Sequence, residues 1–298
     1  MGRAVRVVSE GSSLHLYSER ADRFGPDGLM LTYQTAPPMP AVHAPRPYIH
    51  PLYSPRGVLL TEDAPPDHPW HRGLSMTFVD VSGVNFWGGH TYLQDHGYVL
   101  LANHGRVDLL NQTVRLQGEG SGAAFHETWA WRNATGDVLL TEARRWEVSI
   151  PLLDQPILVI TIFSRFTNST AHPLRFGSPW TQGRAGVGYG GLFWRLPAAL
   201  TGGTFNAQSE AEVLSAPDPY GVDKMHYHLA GRLDLHWEAR QFLPEQIRAT
   251  AWFVRQKDYL GICAAFPYER HYDLLPRERL YFWHTLSMSD VYCSTLTG

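Results

Sequence analysis

Apolar and polar residues alternate with a period of two along most of this chain, and no segment of ten or more residues carries a convincing 3.6-residue period. Such alternation puts successive side chains on opposite faces of an extended backbone, so that one face is buried and the other wet. It is clearest in Val5-Arg6-Val7-Val8, in Leu14-His15-Leu16-Tyr17, and over 106–117, 123–131 and 138–150. Further strands are predicted at 157–166, 191–196, 225–229, 233–239, 247–254, 259–266 and 280–287, separated by clusters of Gly, Pro, Asn and Asp. About fifteen short strands joined in this way describe an all-β protein, a large antiparallel β-sandwich. The Pro-rich stretch from Pro37 to Pro47 is a stiff connection and not a linker, since the strands before it are too few to bury a core alone; residues 1–298 are expected to form a single domain.

The composition removes several functional classes. A formal net charge of −3 provides no field to hold a polyanion, and no basic stripe interleaved with aromatics compensates, so nucleic acid is not an expected partner. No run approaches the ~18–20 apolar residues of a membrane-spanning helix. The opening residues carry no apolar signal region, so the expected location is cytoplasmic, with Cys263 and Cys293 as free thiols. The absence of a Gly-x-Ser-x-Gly elbow, a phosphate-cradling Walker loop and a dinucleotide fingerprint argues against covalent serine, nucleotide-hydrolysing and NAD chemistry. The 15 His and 10 Trp suit a site for a neutral, hydroxyl-rich ligand, in which flat rings cover C–H faces and N–H groups bind hydroxyls. A Trp-rich β core fits the same counts.

Two hairpins can be placed in register. If Ala134 to Asp137 is a four-residue loop, Glu127 lies opposite Arg144 and Trp129 opposite Glu142. Phe125, Glu127, Trp129 and Trp131 then share a face with Val138, Leu140, Glu142, Arg144, Trp146 and Val148. Charge on such an aromatic face marks a structural ion pair or the floor of a site. Glu127 and Arg144 are expected to pair structurally, and Glu142, with no evident cation, is the candidate catalytic acid or base. In the second hairpin, a loop at 230–232 sets His228 opposite Asp234 and His226 opposite His236. That patch reads either as a divalent-cation site or as an ordinary polar outer face, and the polar face is favoured.

Candidate chemistry is densest between Arg46 and Tyr92. Prolines at 65, 66 and 69 deny a helix to the segment carrying Asp67-His68-Pro69-Trp70-His71-Arg72 and hold it as a stiff loop. His68 and His71 offer proton transfer near neutral pH, and Arg72 a fixed cation for a developing oxyanion. A rival reading makes His68, His71 and His50 or His90 metal ligands with Glu142 as a carboxylate. Farther along, Trp180, Arg184 and Arg195 flank a Gly-rich stretch suited to close packing and ligand contact.

Arg46, Pro47, Tyr48, His50, Pro51, Gly57, Thr61, Asp63, Pro66, Asp67, His68, His71, Arg72, Gly73, Asp80, Val81, Gly83, Phe86 and Trp87 follow a recurring pattern. It resembles that of the PmoA-like family (DUF6807 type), which bears the name of a methane oxygenase. A looser likeness continues at 190–195. Trp70 stands where that family usually has a third histidine, and Trp252-Phe253-Val254 and Phe266-Pro267 replace its later motifs. Methane oxidation is set aside, because it belongs to a membrane copper enzyme and this chain has no spanning segment. Such β-sandwich proteins are often tied to carbohydrate catabolism, and the His-Arg segment is loosely similar to aldose epimerases of the galactose-mutarotase-like supersandwich.

The leading expectation is therefore a carbohydrate-active enzyme, an epimerase, lyase or hydrolase acting on a sugar or sugar derivative without cofactor or metal. His68 or His71 would move the proton, Arg72 steady negative charge, and Glu142 act as the complementary acid or base. Tyr48, His50, Trp87, His90, Trp180, Arg184 and Arg195 would shape the pocket. The alternatives are a non-catalytic carbohydrate-binding module and a metal-dependent oxygenase or hydrolase. No feature of the sequence sets an oligomeric state.

Overall fold

A computed structural model describes residues 5–19, 23–118, 121–151, 157–205, 212–214, 223–229, 232–243, 246–248 and 250–290. Alternation becomes strand wherever the sequence shows it. The described residues form two nine-stranded antiparallel sheets, a three-stranded sheet and a two-stranded one. Helical structure among them is confined to three-residue 3₁₀ turns such as Ala41–His43, within the Pro-rich connection. None of the described helices is long and apolar enough to cross a membrane.

The first large sheet runs, in spatial order, Val5–Glu10, Ser13–Ser18, Leu29–Gln34, Tyr48–Leu52, Leu74–Thr77, Gly191–Leu196, Leu260–Ala265, Ala251–Arg255 and Glu212–Leu214. The second runs Thr204–Phe205, Asp223–Leu229, Leu233–Leu243, Arg279–Ser289, Ile157–Asn168, Val138–Ser149, Gly122–Arg132 and Arg106–Gln117, with Gln246–Arg248 also paired to Leu233–Leu243. The sheets pack face to face over one continuous apolar cluster. Trp129, Trp131, Trp146 and Trp237 enter it from the second sheet, and Trp194 and Trp252 from the first. Much of the tryptophan is thus core.

Both hairpin registers hold. Glu127 opposes Arg144 and Trp129 opposes Glu142, until a bulge between Trp131 and Arg132 shifts the pairing. His228 opposes Asp234 and His226 opposes His236. The interior ion pair is a different one from that expected. Arg144 donates to Glu142 from Nε and Nη2, both at 2.8 Å, because residues two apart on a strand share a face and the guanidinium fork reaches along it. Glu127 instead accepts from Tyr33 Oη, Gln112 Nε2, Trp129 Nε1 and Trp146 Nε1.

Candidate active site

Three neighbouring strands of the first sheet are covered on both faces. Leu192, Trp194 and Leu196, Leu260, Ile262 and Ala264, and Trp252 and Val254 point to the core. Between them Phe193, Cys263, Ala265 and Phe253 point the other way, into a second, smaller apolar cluster with Val79 and Trp87. Above that face lies a cavity of about 310 Å³, within the ~300–1,000 Å³ range of small-molecule sites. Its walls are His68, Trp70, His71, Trp87, His90, Tyr98, Arg184, Val187, Tyr189, Phe193, Phe253, Arg255, Tyr259, Gly261 and Cys263.

The proline-stiffened loop forms the roof. It is tied to the sheet by two backbone hydrogen bonds, Glu62 N–H to Arg195 O and Arg195 N–H to Gly73 O, and a third, Gly73 N–H to Glu62 O, joins its own ends. Two successive turns follow, His68 N–H bonding Pro65 O and His71 N–H bonding His68 O. They stack the two imidazoles at 4.5 Å between centroids and 19° between planes. Gly73 has φ +28°, and a Cβ there would meet Ile49 O at 2.0 Å, so only glycine brings the loop down this far. Arg46, 1% exposed, clamps the walls by donating to the carbonyls of His43, Ala44, Trp70 and Trp87 and to Ser75 Oγ.

The electrostatics of the two histidines differ. His68 Nδ1 donates to Asp67 Oδ2 at 2.7 Å, leaving Nε2 as its exchangeable atom. Burial raises the Asp67 carboxyl, but the His68 hydrogen bond and the Arg195 charge outweigh it and hold the group below its ordinary range. Arg195 is the positioning group. It donates to Glu62 at 2.9 Å, approaches Asp67 at 3.4 Å and lies 4.0 Å over the Tyr259 ring. His71 is 1% exposed, edge-on to Trp87, Phe193 and Tyr259. Burial first, then the charges of His68, Arg195, Arg46 and Arg255, push it well below the ordinary histidine range. Its Nδ1 has no hydrogen-bond partner among the described residues. Burial likewise pushes the Cys263 thiol up to about 12, so this wall residue stays a neutral thiol.

Of the residues expected from sequence, the cavity brings together His68, His71, Trp87, His90 and Arg184, with Arg195 directly behind. The others lie elsewhere. Arg72 turns from the cavity to Asp63 at 3.1 Å, and the same carboxylate accepts from Tyr48 Oη at 3.2 Å. His50 bonds Thr61 Oγ1 at 3.0 Å. Trp180 packs edge-on against Tyr268. Glu142 is fully buried between the sheets, accepting from Trp131 Nε1, Ser164 Oγ and Arg144, so it shares no space with the histidines. The rival metal set fails on the same ground, since its carboxylate is in the core. Among the described residues, the group of three ligating side chains compact enough for an ion is His226, His228 and Asp234. Cys293 lies outside the described residues.

Sequence reasoning missed Tyr98, Tyr189, Phe193, Phe253, Arg255 and Tyr259. A signal for some was present. Gly191-Leu192-Phe193-Trp194-Arg195-Leu196 and Leu260–Ala265 do not alternate, and every residue in both strands is buried. A continuous apolar run marks a strand covered on both faces, and the second cover here is the site.

Residues 26–294 match a family described as "Family of unknown function (DUF6807)". The chain belongs to that family. The match brings no activity with it, and no support for the methane-oxygenase name. Comparison with curated proteins gave no match. Among solved structures the chain is similar to a galactose mutarotase related enzyme from Lactobacillus acidophilus, at 10% identity and a TM-score of 0.33, over 98% of each chain.

Proposed function

We propose that the cavity binds a sugar or sugar derivative and that His68 and His71 exchange protons with it, making the protein an acid–base carbohydrate enzyme. The observation that carries this reading is the stacked pair itself, one imidazole oriented by a carboxylate and the other buried with an unpartnered nitrogen. Two positive rings 4.5 Å apart would repel by about 4 kcal/mol at an effective dielectric of 20, which opposes charging both and leaves room for one added proton. His68, bonded to Asp67, is placed to carry it as the acid, and His71 to act as the neutral base. Arg184 and Arg255 take the part expected of Arg72, meeting negative charge as it develops. Trp70, Trp87 and Phe193 supply flat faces for C–H groups, and burial holds the Tyr189 and Tyr259 phenols protonated as hydroxyl donors.

The test is a panel of monosaccharides, disaccharides and sugar acids, screened by thermal shift and then followed by NMR for conversion. A sugar that raises the melting temperature should also be transformed. His68→Ala and Asp67→Asn should retain binding within about threefold and lose about 10²–10⁴-fold in turnover. Undiminished turnover in both variants would refute the acid–base assignment. Because none of the described wall residues is a carboxylate, a second reading, sugar binding without chemistry, is favoured if ligands bind and their spectra stay unchanged.

A further inference from the structure

On the outer face of the second sheet, across the sandwich from the cavity, the second hairpin gathers imidazoles around a carboxylate. His226 and His228 are two apart on Asp223–Leu229 and so share a face; Asp234 is the direct cross-strand partner of His228. Their inward neighbours Met225, Tyr227, Leu233 and Leu235 are all buried, which fixes the register and with it the outward side. Asp234 Oδ1 lies 2.5 Å from His228 Nδ1 and 3.3 Å from His226 Nε2. His236 stacks on His226 at 4.1 Å and 8°, holding that ring in place.

We propose that His226, His228 and Asp234 form a three-ligand site for a divalent transition-metal cation of the Zn²⁺ class. All three candidate ligand atoms lie within 4.8 Å of one another. Tetrahedral ligands 2.0–2.1 Å from zinc stand about 3.4 Å apart, so the His226–Asp234 separation already fits and the His228–Asp234 contact opens by about 1 Å. Two imidazoles and one carboxylate suit zinc, nickel or copper, whereas calcium and magnesium take all-oxygen shells. The three side chains are 38%, 40% and 27% exposed, so an ion reaches them from solvent and keeps a position for water. The expected polar outer face of this hairpin thus becomes a built site, independent of what the cavity does.

The experiment is zinc titration of the tag-free 298-residue chain at pH 7.5 by calorimetry and by competition with a chromophoric chelator. Wild type should bind one Zn²⁺ per chain. His228→Ala and Asp234→Ala should each weaken that binding at least tenfold while their circular dichroism spectra stay unchanged, which half-exposed outer-face positions allow. His68→Ala, which alters the cavity, should bind zinc as wild type does. The proposal is overturned if wild type takes up no zinc at 100 µM free metal, if both hairpin variants bind as wild type does, or if His68→Ala removes the binding.

Discussion

Replacing Glu142 with glutamine separates a catalytic carboxylate from a structural one. The side chain is fully buried and accepts four hydrogen bonds, two from Arg144 and one each from Trp131 and Ser164. Glutamine keeps the shape but removes the charge and turns one acceptor oxygen into an NH₂ facing the donors. Arg144 is 7% exposed and keeps Tyr33 Oη at 3.2 Å as a further partner, so its charge has little access to water. Breaking one side of a buried pair costs about 3–5 kcal/mol. At this chain length that corresponds to a melting temperature lower by about 5–8 °C. Urea unfolding followed by tryptophan fluorescence should show the midpoint falling with an unchanged slope. Ligand binding to the cavity and turnover per folded molecule should stay at wild-type levels. A Glu142→Gln protein of wild-type stability that had lost turnover would refute the structural assignment and return this residue to the chemistry.

Two other outcomes are expected. Burial lowers His284 to about 3, whereas an unfolded histidine titrates near 6.5, so from about pH 6.5 down to 3 the unfolded chain takes a proton that the folded one refuses. Stability should fall through that window by about 1.4 kcal/mol per pH unit from this residue, and none of the loss should occur above pH ~7. Urea midpoints from pH 7 to 4 should drop more steeply for wild type than for His284→Gln, and equal slopes would contradict the assignment. Arg46→Met removes five hydrogen bonds, two of them to the wall residues Trp70 and Trp87, and should cost more than about 3 kcal/mol in urea unfolding and weaken ligand binding. Wild-type stability and affinity in that variant would show that Trp70 and Trp87 are positioned by other contacts.

The strands were legible because alternation is a local property enforced by burial of one face. Arg106–Gln117 and the register of Glu127 against Arg144 follow from a few consecutive residues and one loop length. The proline loop was legible in the same way, and with it His68 and His71. What local pattern does not contain is which way a charged side chain finds its partner. Arg72 follows His71 directly, yet on extended backbone adjacent side chains diverge, so one enters the cavity and the other meets Asp63. Glu142 was misassigned because its partners at 131, 144 and 164 come from three strands, one of them, Ile157–Asn168, beyond the hairpin considered.

The contrast between Glu142 and His71 also says how to tell structural polarity from chemical polarity in this molecule. Both are buried. Glu142 has its hydrogen bonds supplied from within the fold, which is the state a polar group needs if it is only to hold strands together. His71 Nδ1 and Arg195 Nη1 have none among the described residues, and both belong to the cluster behind or beside the cavity. An unpaired group alone is not sufficient: His284 Nε2 is equally unpartnered but sits in the core, touching Trp237 and Phe282. What separates His71 from His284 is location: the His71 ring is part of the cavity wall, whereas His284 lies between the sheets. By that criterion the proposed chemistry is assigned to the outer face of the first sheet, and the hydrogen-bonded carboxylates between the sheets to the fold.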